Sequence, residues 1–209
     1  MNKSEEKTAL IFLGGEEYEG EIVPEGKTVV ACDRAFLFLR KRSIRPDVVV
    51  GDFDSLGFVP EGAEVYPSEK DQTDFALAVD ECEKIGIRRA SVYCAGGGRE
   101  DHFLANVGIA INAYKRGILL EFITNYSKFF IAEKRIVIPA ERGQTVSVLP
   151  LFRAKVSSSH GLKYPYRDVE LPFDSSLGVS NVALEKDPVL EVDEGIVLVF
   201  VDNGREVCE

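Results

Sequence analysis

Aspartates recur just past the ends of apolar runs in this chain, and their spacing admits metal chemistry. Asp52 and Asp54 follow the run Val48–Val50, with Phe53 between them. In an extended segment, residues two apart send their side chains to the same face. Two carboxylates held close repel each other, so a cation must compensate or one must stay protonated. Mg²⁺ suits such a pair, because it takes hard oxygen ligands, keeps waters and shares itself with substrate phosphates. Gly51 allows the backbone to turn sharply ahead of them. The same spacing also suits an Asx-turn with one capping Asp, and the local sequence leaves both readings open.

Other residues repeat the placement. Asp33 follows Thr28–Ala31, and Asp101 follows Ala90–Cys94 and a glycine loop. Asp74 sits in Asp71-Gln72-Thr73-Asp74, which opens a helical pattern. There a capping role for Asp71, Gln72 or Thr73 competes with a place in a metal–phosphate cluster. In Gly96-Gly97-Gly98-Arg99-Glu100-Asp101-His102, glycines let backbone amides approach a phosphate, and Arg99 offers a planar fork to its oxygens. The loop lacks the Lys-Ser or Lys-Thr of a Walker motif. His102 and His160 are the only histidines, and neither neighbours a Ser or Cys nucleophile motif. Metal-assisted displacement therefore fits better than covalent catalysis.

These residues need elements to gather them. Apolar runs predict strands at Ala9–Leu13, Thr28–Ala31, Val48–Val50, Ala63–Tyr66, Ala90–Cys94 and Leu119–Thr124. Helical spacing predicts helices at Ala35–Arg42, Thr73–Ile85 and His102–Lys115. Strands alternating with helices imply an α/β fold with a mainly parallel sheet, whose ligands bind outside the carboxyl ends of the strands. From about Tyr126 the rhythm becomes strand after strand, which predicts a small antiparallel, sandwich-like β domain. The expected division is 1–125 for the α/β domain and 126–209 for the β domain, with 157–181 mostly loop.

Composition narrows the partners. The 209 residues, 45% hydrophobic, can bury a sizeable core. A net charge of −10, from 25 basic and 35 acidic residues, argues against a nucleic-acid partner without a basic stripe. The densest basic run, Arg40-Lys41-Arg42, reads as a solvated helix end. No stretch has the ~18 apolar residues of a membrane span. Cys32, Cys82 and Cys94 read as core residues and Cys208 stands apart, with no C-x-x-C pair among them. The polar start, MNKSEEK, is unlike a signal peptide, so a cytoplasmic location is expected.

Five segments in order resemble the thiamine pyrophosphokinase family. Arg45-Pro-Asp-Val-Val-Val-Gly-Asp-Phe-Asp-Ser55 is similar to its P-D-x-x-x-G-D-F-D-S signature, and Lys70-Asp-Gln-Thr-Asp74 to K-D-x-T-D. Gly97-Gly-Arg-Glu-Asp-His-Phe-Leu-Ala-Asn106 is similar to G-G-R-x-D-H-x-L-A-N. Gly161-Leu-Lys-Tyr-Pro165 and Ser180-Asn181 resemble two signatures of its β domain. The resemblance implies transfer of a diphosphate from ATP to thiamine, giving thiamine diphosphate and AMP. It implies a homodimer with sites between the α/β domain of one chain and the β domain of the other. It implies Mg²⁺ on Asp52, Asp54 and Asp74. Gln72, Thr73, Gly97, Gly98, Arg99, Asp101 and His102 would serve nucleotide or phosphates, and Asp33, Ser180 and Asn181 thiamine. Arg34 stands where the family usually has glycine, and it either adds a phosphate contact or obstructs the pocket. Val182 and Ala183 stand where many members carry an aromatic. A pyrophosphokinase for another alcohol such as a pterin, a Mg²⁺-dependent phosphohydrolase and a non-catalytic binding regulator are the alternatives.

Overall fold

The computed structural model describes residues 7–54, 56–67 and 71–204; Ser55, Lys70, Cys208 and nearly all of the MNKSEEK start lie outside the described residues. The chain forms two compact units, Met1–Thr124 and Asn125–Glu209.

The first unit runs β1 (Thr8–Phe12), β2 (Thr28–Cys32), α1 (Ala35–Lys41), β3 (Val48–Gly51), β4 (Glu64–Val65), α2 (Asp74–Lys84), β5 (Arg89–Tyr93), α3 (Glu100–Lys115) and β6 (Leu119–Ile123). Its strands lie in the order β6-β5-β1-β2-β3-β4, each pair parallel. Ala9–Phe12 and Val29–Cys32 are buried without alternation, as in strands covered on both faces. The chain starts in the middle at β1, runs outward to β4, then returns to lay β5 on the other side of β1. Strand order thus reverses between β1 and β5. At such a switch point the connecting loops part and leave a crevice at the carboxyl ends.

The helix ends follow from local chemistry. Thr73 caps α2 by accepting the Ala76 N–H at 3.4 Å, and Asp74 and Lys84 sit at the ends that suit their charges. The helix α3 begins at Glu100, two residues before the expected His102, and places Glu100 and Asp101 in its first turn. The basic run at the end of α1 is more than a solvated helix end. Lys41 pairs with Glu17 at 2.6 Å. Arg42 donates to the carbonyls of Tyr18 and Gly20 at 2.6 and 3.3 Å. It also lies 5.4 Å from the Phe38 ring centre. These cations tie the β1–β2 connection to α1.

The second unit contains β7 (Ser127–Ala132), β8 (Arg135–Val137), β9 (Thr145–Pro150), β10 (Arg153–His160), β11 (Arg167–Pro172), β12 (Asn181–Val182), β13 (Val189–Glu194) and β14 (Val197–Asp202). They form β12-β9-β14-β7 and β11-β10-β13-β8, with antiparallel pairs in both. Val146, Val148 and Val199 from one sheet share a core with Val156, Leu171 and Leu190 from the other, the packing of a sandwich. The stretch expected to be mostly loop holds β11 and β12. β11 escapes a pattern search because it is an edge strand with a single fully buried side chain, Leu171.

Candidate active site

A cleft of about 640 Å³ opens where strand order reverses, a volume in the usual range for small-molecule sites. Its walls come from the carboxyl ends of four strands. Leu13, Gly14 and Gly15 follow β1, Asp33 and Arg34 follow β2, Asp52 follows β3, and Cys94 to Gly96 with Gly98 and Arg99 follow β5. Thr73 and Asp74 at the start of α2, with His102 and Asn106 of α3, complete it.

The sheet's hydrogen bonding continues into these loops. Leu13 N–H donates to Tyr93 O at 3.0 Å, Gly15 N–H to Cys94 O at 2.9 Å and Glu16 N–H to Gly96 O at 2.7 Å. On the other side of β1, Asp33 N–H donates to Val50 O at 2.8 Å. Asn106, buried on α3, donates from Nδ2 to Ala95 O at 3.1 Å and so fastens the glycine loop from behind. The backbone is strained where it enters the cleft. Asp33, Phe53 and Cys94 have φ of 46°, 60° and 58°, a conformation rare for residues other than glycine. Such strain clusters at functional sites, where surrounding contacts hold it in place.

Three of the expected carboxylates, Asp33, Asp52 and Asp74, face this one cleft. Asp54 does not line it. The segment is not extended, because Phe53 adopts the left-handed conformation and buries its ring, so alternation does not send Asp52 and Asp54 to one face. Asp52 Oδ1 instead accepts the Asp54 N–H at 3.2 Å, an Asx-turn that still leaves Asp52 in the cleft. The turn expected at Asp52 is thus present, and it coexists with a place in the cleft lining.

Asp101 turns to Arg99, which donates to it from Nε at 3.1 Å and from Nη2 at 2.6 Å. Arg99 holds the Asp101 carboxyl below its usual range, and Asp101 in turn raises Arg99. Gly98 lines the cleft with open space beside its α-carbon, whereas Gly97 lies outside the lining. Gln72 donates to Asp80 at 3.2 Å and does not line the cleft. Cys94 lines it as a thiol pushed up to about 11, chiefly by burial, and a protonated thiol is a poor nucleophile at neutral pH.

Tyr66 braces α2 from the edge of the sheet. Its hydroxyl stands 3.1 Å from Glu81 Oε1 and 3.2 Å from Glu64 Oε2, and its one proton can be given to either. Burial first, then these carboxylates, push it up to about 12.

In the second unit, Ser180 has a φ of 59° and its N–H donates to Ser147 Oγ at 3.0 Å. Asn181 is buried. Its Oδ1 accepts the Tyr164 N–H at 3.0 Å, and its Nδ2 donates to Tyr164 O at 2.7 Å. Asn181 therefore pins the Gly161–Pro165 segment as a neighbouring strand would.

Gly14, Gly15 and Asn106 also line the cleft, and of these only Asn106 falls within a segment named above, at the end of Gly97–Asn106. The signal was present for two of them: Gly14-Gly15 directly follows the first apolar run, the position from which every other cleft loop departs. The donor set fits Mg²⁺ in kind, since the acidic groups in the cleft are hard oxygen ligands. Among the described residues no three acidic, histidine or cysteine side chains stand close enough to hold an ion alone. Of the expected metal set, Asp52 and Asp74 face the cleft, and they suit an ion that takes further ligands from water and phosphate, not one caged by protein.

A parallel sheet with a cleft of carboxylates, arginines and a glycine loop at its switch point defines an α/β protein of the phosphate-handling class. The thiamin pyrophosphokinase catalytic-domain model matches residues 21–122, and the thiamin pyrophosphokinase vitamin B1 binding-domain model matches 133–197. The chain belongs to the thiamin pyrophosphokinase family. It is 26% identical over 183 residues to a thiamine pyrophosphokinase of Bacillus subtilis, covering 82% of this chain and 85% of that one. A crystal structure of thiamine pyrophosphokinase from Bacillus subtilis matches with a TM-score of 0.84 at 24% identity, over 95% of this chain and 100% of that one. The thiamin pyrophosphokinase of Candida albicans matches at 0.76 and 16% identity, over 95% and 89%. At these identities the structures establish the shared fold.

Proposed function

We propose that this chain is a thiamine pyrophosphokinase, moving a diphosphate from ATP to thiamine and releasing AMP. The observation that carries the reading is one cleft collecting Asp33, Asp52, Asp74, Arg99 and a glycine loop from separate strand ends. The family's models on both halves of the chain support the same reaction.

In this reading the hydroxyethyl oxygen of thiamine attacks the β-phosphorus of ATP. The bond from that phosphorus to the bridging oxygen breaks, and AMP leaves with the bonding electrons. Such transfers depend on positioning and on neutralising charge spread over phosphate oxygens. Arg99 and the amides around Gly98 hold the moving group. Asp33 takes the hydroxyl proton, since Asp101 is committed to Arg99 and kept weakly basic by it. Asp52 and Asp74, which face the cleft, would hold Mg²⁺, and the resemblance adds Asp54 to that set although its side chain lies outside the cleft lining. An ion held there would supply positive charge against the charge that builds on the transferring phosphate group. The acidic site also suits the cationic thiazolium.

The active form is a homodimer in which Ser180 and Asn181 of one chain serve thiamine beside the α/β domain of the other. A cytoplasmic setting accords with the buried free thiols of Cys32, Cys82 and Cys94. No helix among the described residues is long and apolar enough to cross a membrane.

The test is incubation with ATP, Mg²⁺ and thiamine, with products read by mass. Thiamine diphosphate and AMP are expected in equal amounts. AMP formed only with a pterin acceptor, phosphate released without any acceptor, or tight binding with no AMP would each overturn the reading.

A further inference from the structure

Two arginines line the cleft, and their circumstances differ. Arg99 is committed to Asp101 by its paired hydrogen bonds. Arg34 leads into α1 from the neighbouring wall, and among the described residues it has no ion-pair partner. A guanidinium stays charged at any working pH and carries five N–H donors in a plane. One without a partner, in a cleft built for a ligand, is a vacant anion contact.

The seat of Arg34 is specific. Its stem lies across the bare α-carbon of Gly14: a Cβ there would stand 2.9 Å from Arg34 Cγ and 3.2 Å from Cδ. Gly14 is itself held by Gly15, whose N–H donates to Cys94 O and whose own Cβ would stand 2.3 Å from Gly96 O. The loop after β1 therefore lies on the glycine loop on one side and carries the arginine stem on the other. Arg34 and Arg99 thus line one cleft from different strand ends.

We propose that Arg34, seated on Gly14, is a second polyphosphate-binding arginine of this cleft and grips the phosphate chain of the nucleotide. The inference rests on the ATP-dependent reading above. Arg34 supplies a full, uncommitted charge where Arg99 is already shared with Asp101. Gly14 is a positioning residue. An alanine there meets the Arg34 side chain at Cγ and Cδ, so the arginine must shift to admit it.

The test uses calorimetric binding of inorganic tripolyphosphate in Mg²⁺ buffer and the KM for ATP. The proteins are wild type, Arg34→Gln, Gly14→Ala and the double variant. Arg34→Gln should weaken tripolyphosphate and raise the KM for ATP on the order of tenfold, with the KM for thiamine unchanged. Gly14→Ala should reproduce part of that loss and add nothing once Arg34 is gone. A Gly14→Ala loss that persists in the Arg34→Gln background overturns the seating. Wild-type tripolyphosphate binding in Arg34→Gln, or a lowered KM for thiamine instead, overturns the phosphate contact and makes Arg34 an obstruction. If wild type binds tripolyphosphate through Arg34 but forms no AMP from ATP and thiamine, the reaction falls and the Arg34 contact stands.

Discussion

Asp52 Oδ1 accepts the Asp54 N–H, which ties the turn after β3 to a carboxylate that also faces the cleft. The two roles separate in a single substitution. Asn at position 52 keeps an oxygen that accepts the same N–H and loses only the charge. Asp52→Asn should therefore lower kcat at least ~100-fold while leaving the thermal midpoint and the ATP dissociation constant near wild type. A large fall in stability would instead assign Asp52 to the turn alone. Asp54→Asn should likewise cut turnover more than ATP binding. Normal turnover in that variant would remove Asp54 from the metal set and leave Asp52 and Asp74, in keeping with its place outside the cleft.

The loops after β1 and β5 act as one element. Gly15 and Glu16 donate to the Cys94 and Gly96 carbonyls, Asn106 holds Ala95 from α3, and Cys94 keeps a left-handed backbone between them. Gly15 leaves no room for a side chain, since a Cβ would stand 2.3 Å from Gly96 O and 2.5 Å from Cys94 O, both backbone atoms. Gly15→Ala should cost about 2 kcal/mol or more in urea unfolding. It should also raise the KM for ATP by moving the glycine loop. A variant with wild-type stability and KM would show that the two loops move independently. This contrasts with Gly14, where the neighbour is a flexible stem and the fold should hold.

The second unit meets the whole-molecule question, because Ser180 and Asn181 lie on a different compact unit from the cleft. If each working site joins the α/β domain of one chain to the β domain of its partner, two defective variants can repair each other. Asp52→Asn and Asn181→Ala are each expected to be nearly inactive. Mixed after partial unfolding and refolded together, half of the dimers are mixed and one of their two sites is intact, so about a quarter of wild-type activity should return. No recovery would place all of a site's residues within one chain.

Much of this was legible before the fold. Apolar runs alternating with helical periods implied the parallel sheet, since buried strands and amphipathic helices carry short-range signatures. Acids just past strand ends implied the cleft, because parallel strands share one carboxyl edge. The five ordered segments implied the family. What the sequence could not determine was set by long-range geometry. Phe53 takes a left-handed backbone, so alternation fails at Asp52 and Asp54. Asp101 reaches Arg99 and leaves Asp33, Asp52 and Asp74 as the acids of the cleft. The strand Arg167–Pro172 is polar because it lies at a sheet edge, a position visible only once β10 is beside it. The place of Arg34 over Gly14 depends on two loops 20 residues apart meeting across a strand pair, and local spacing carries no record of that.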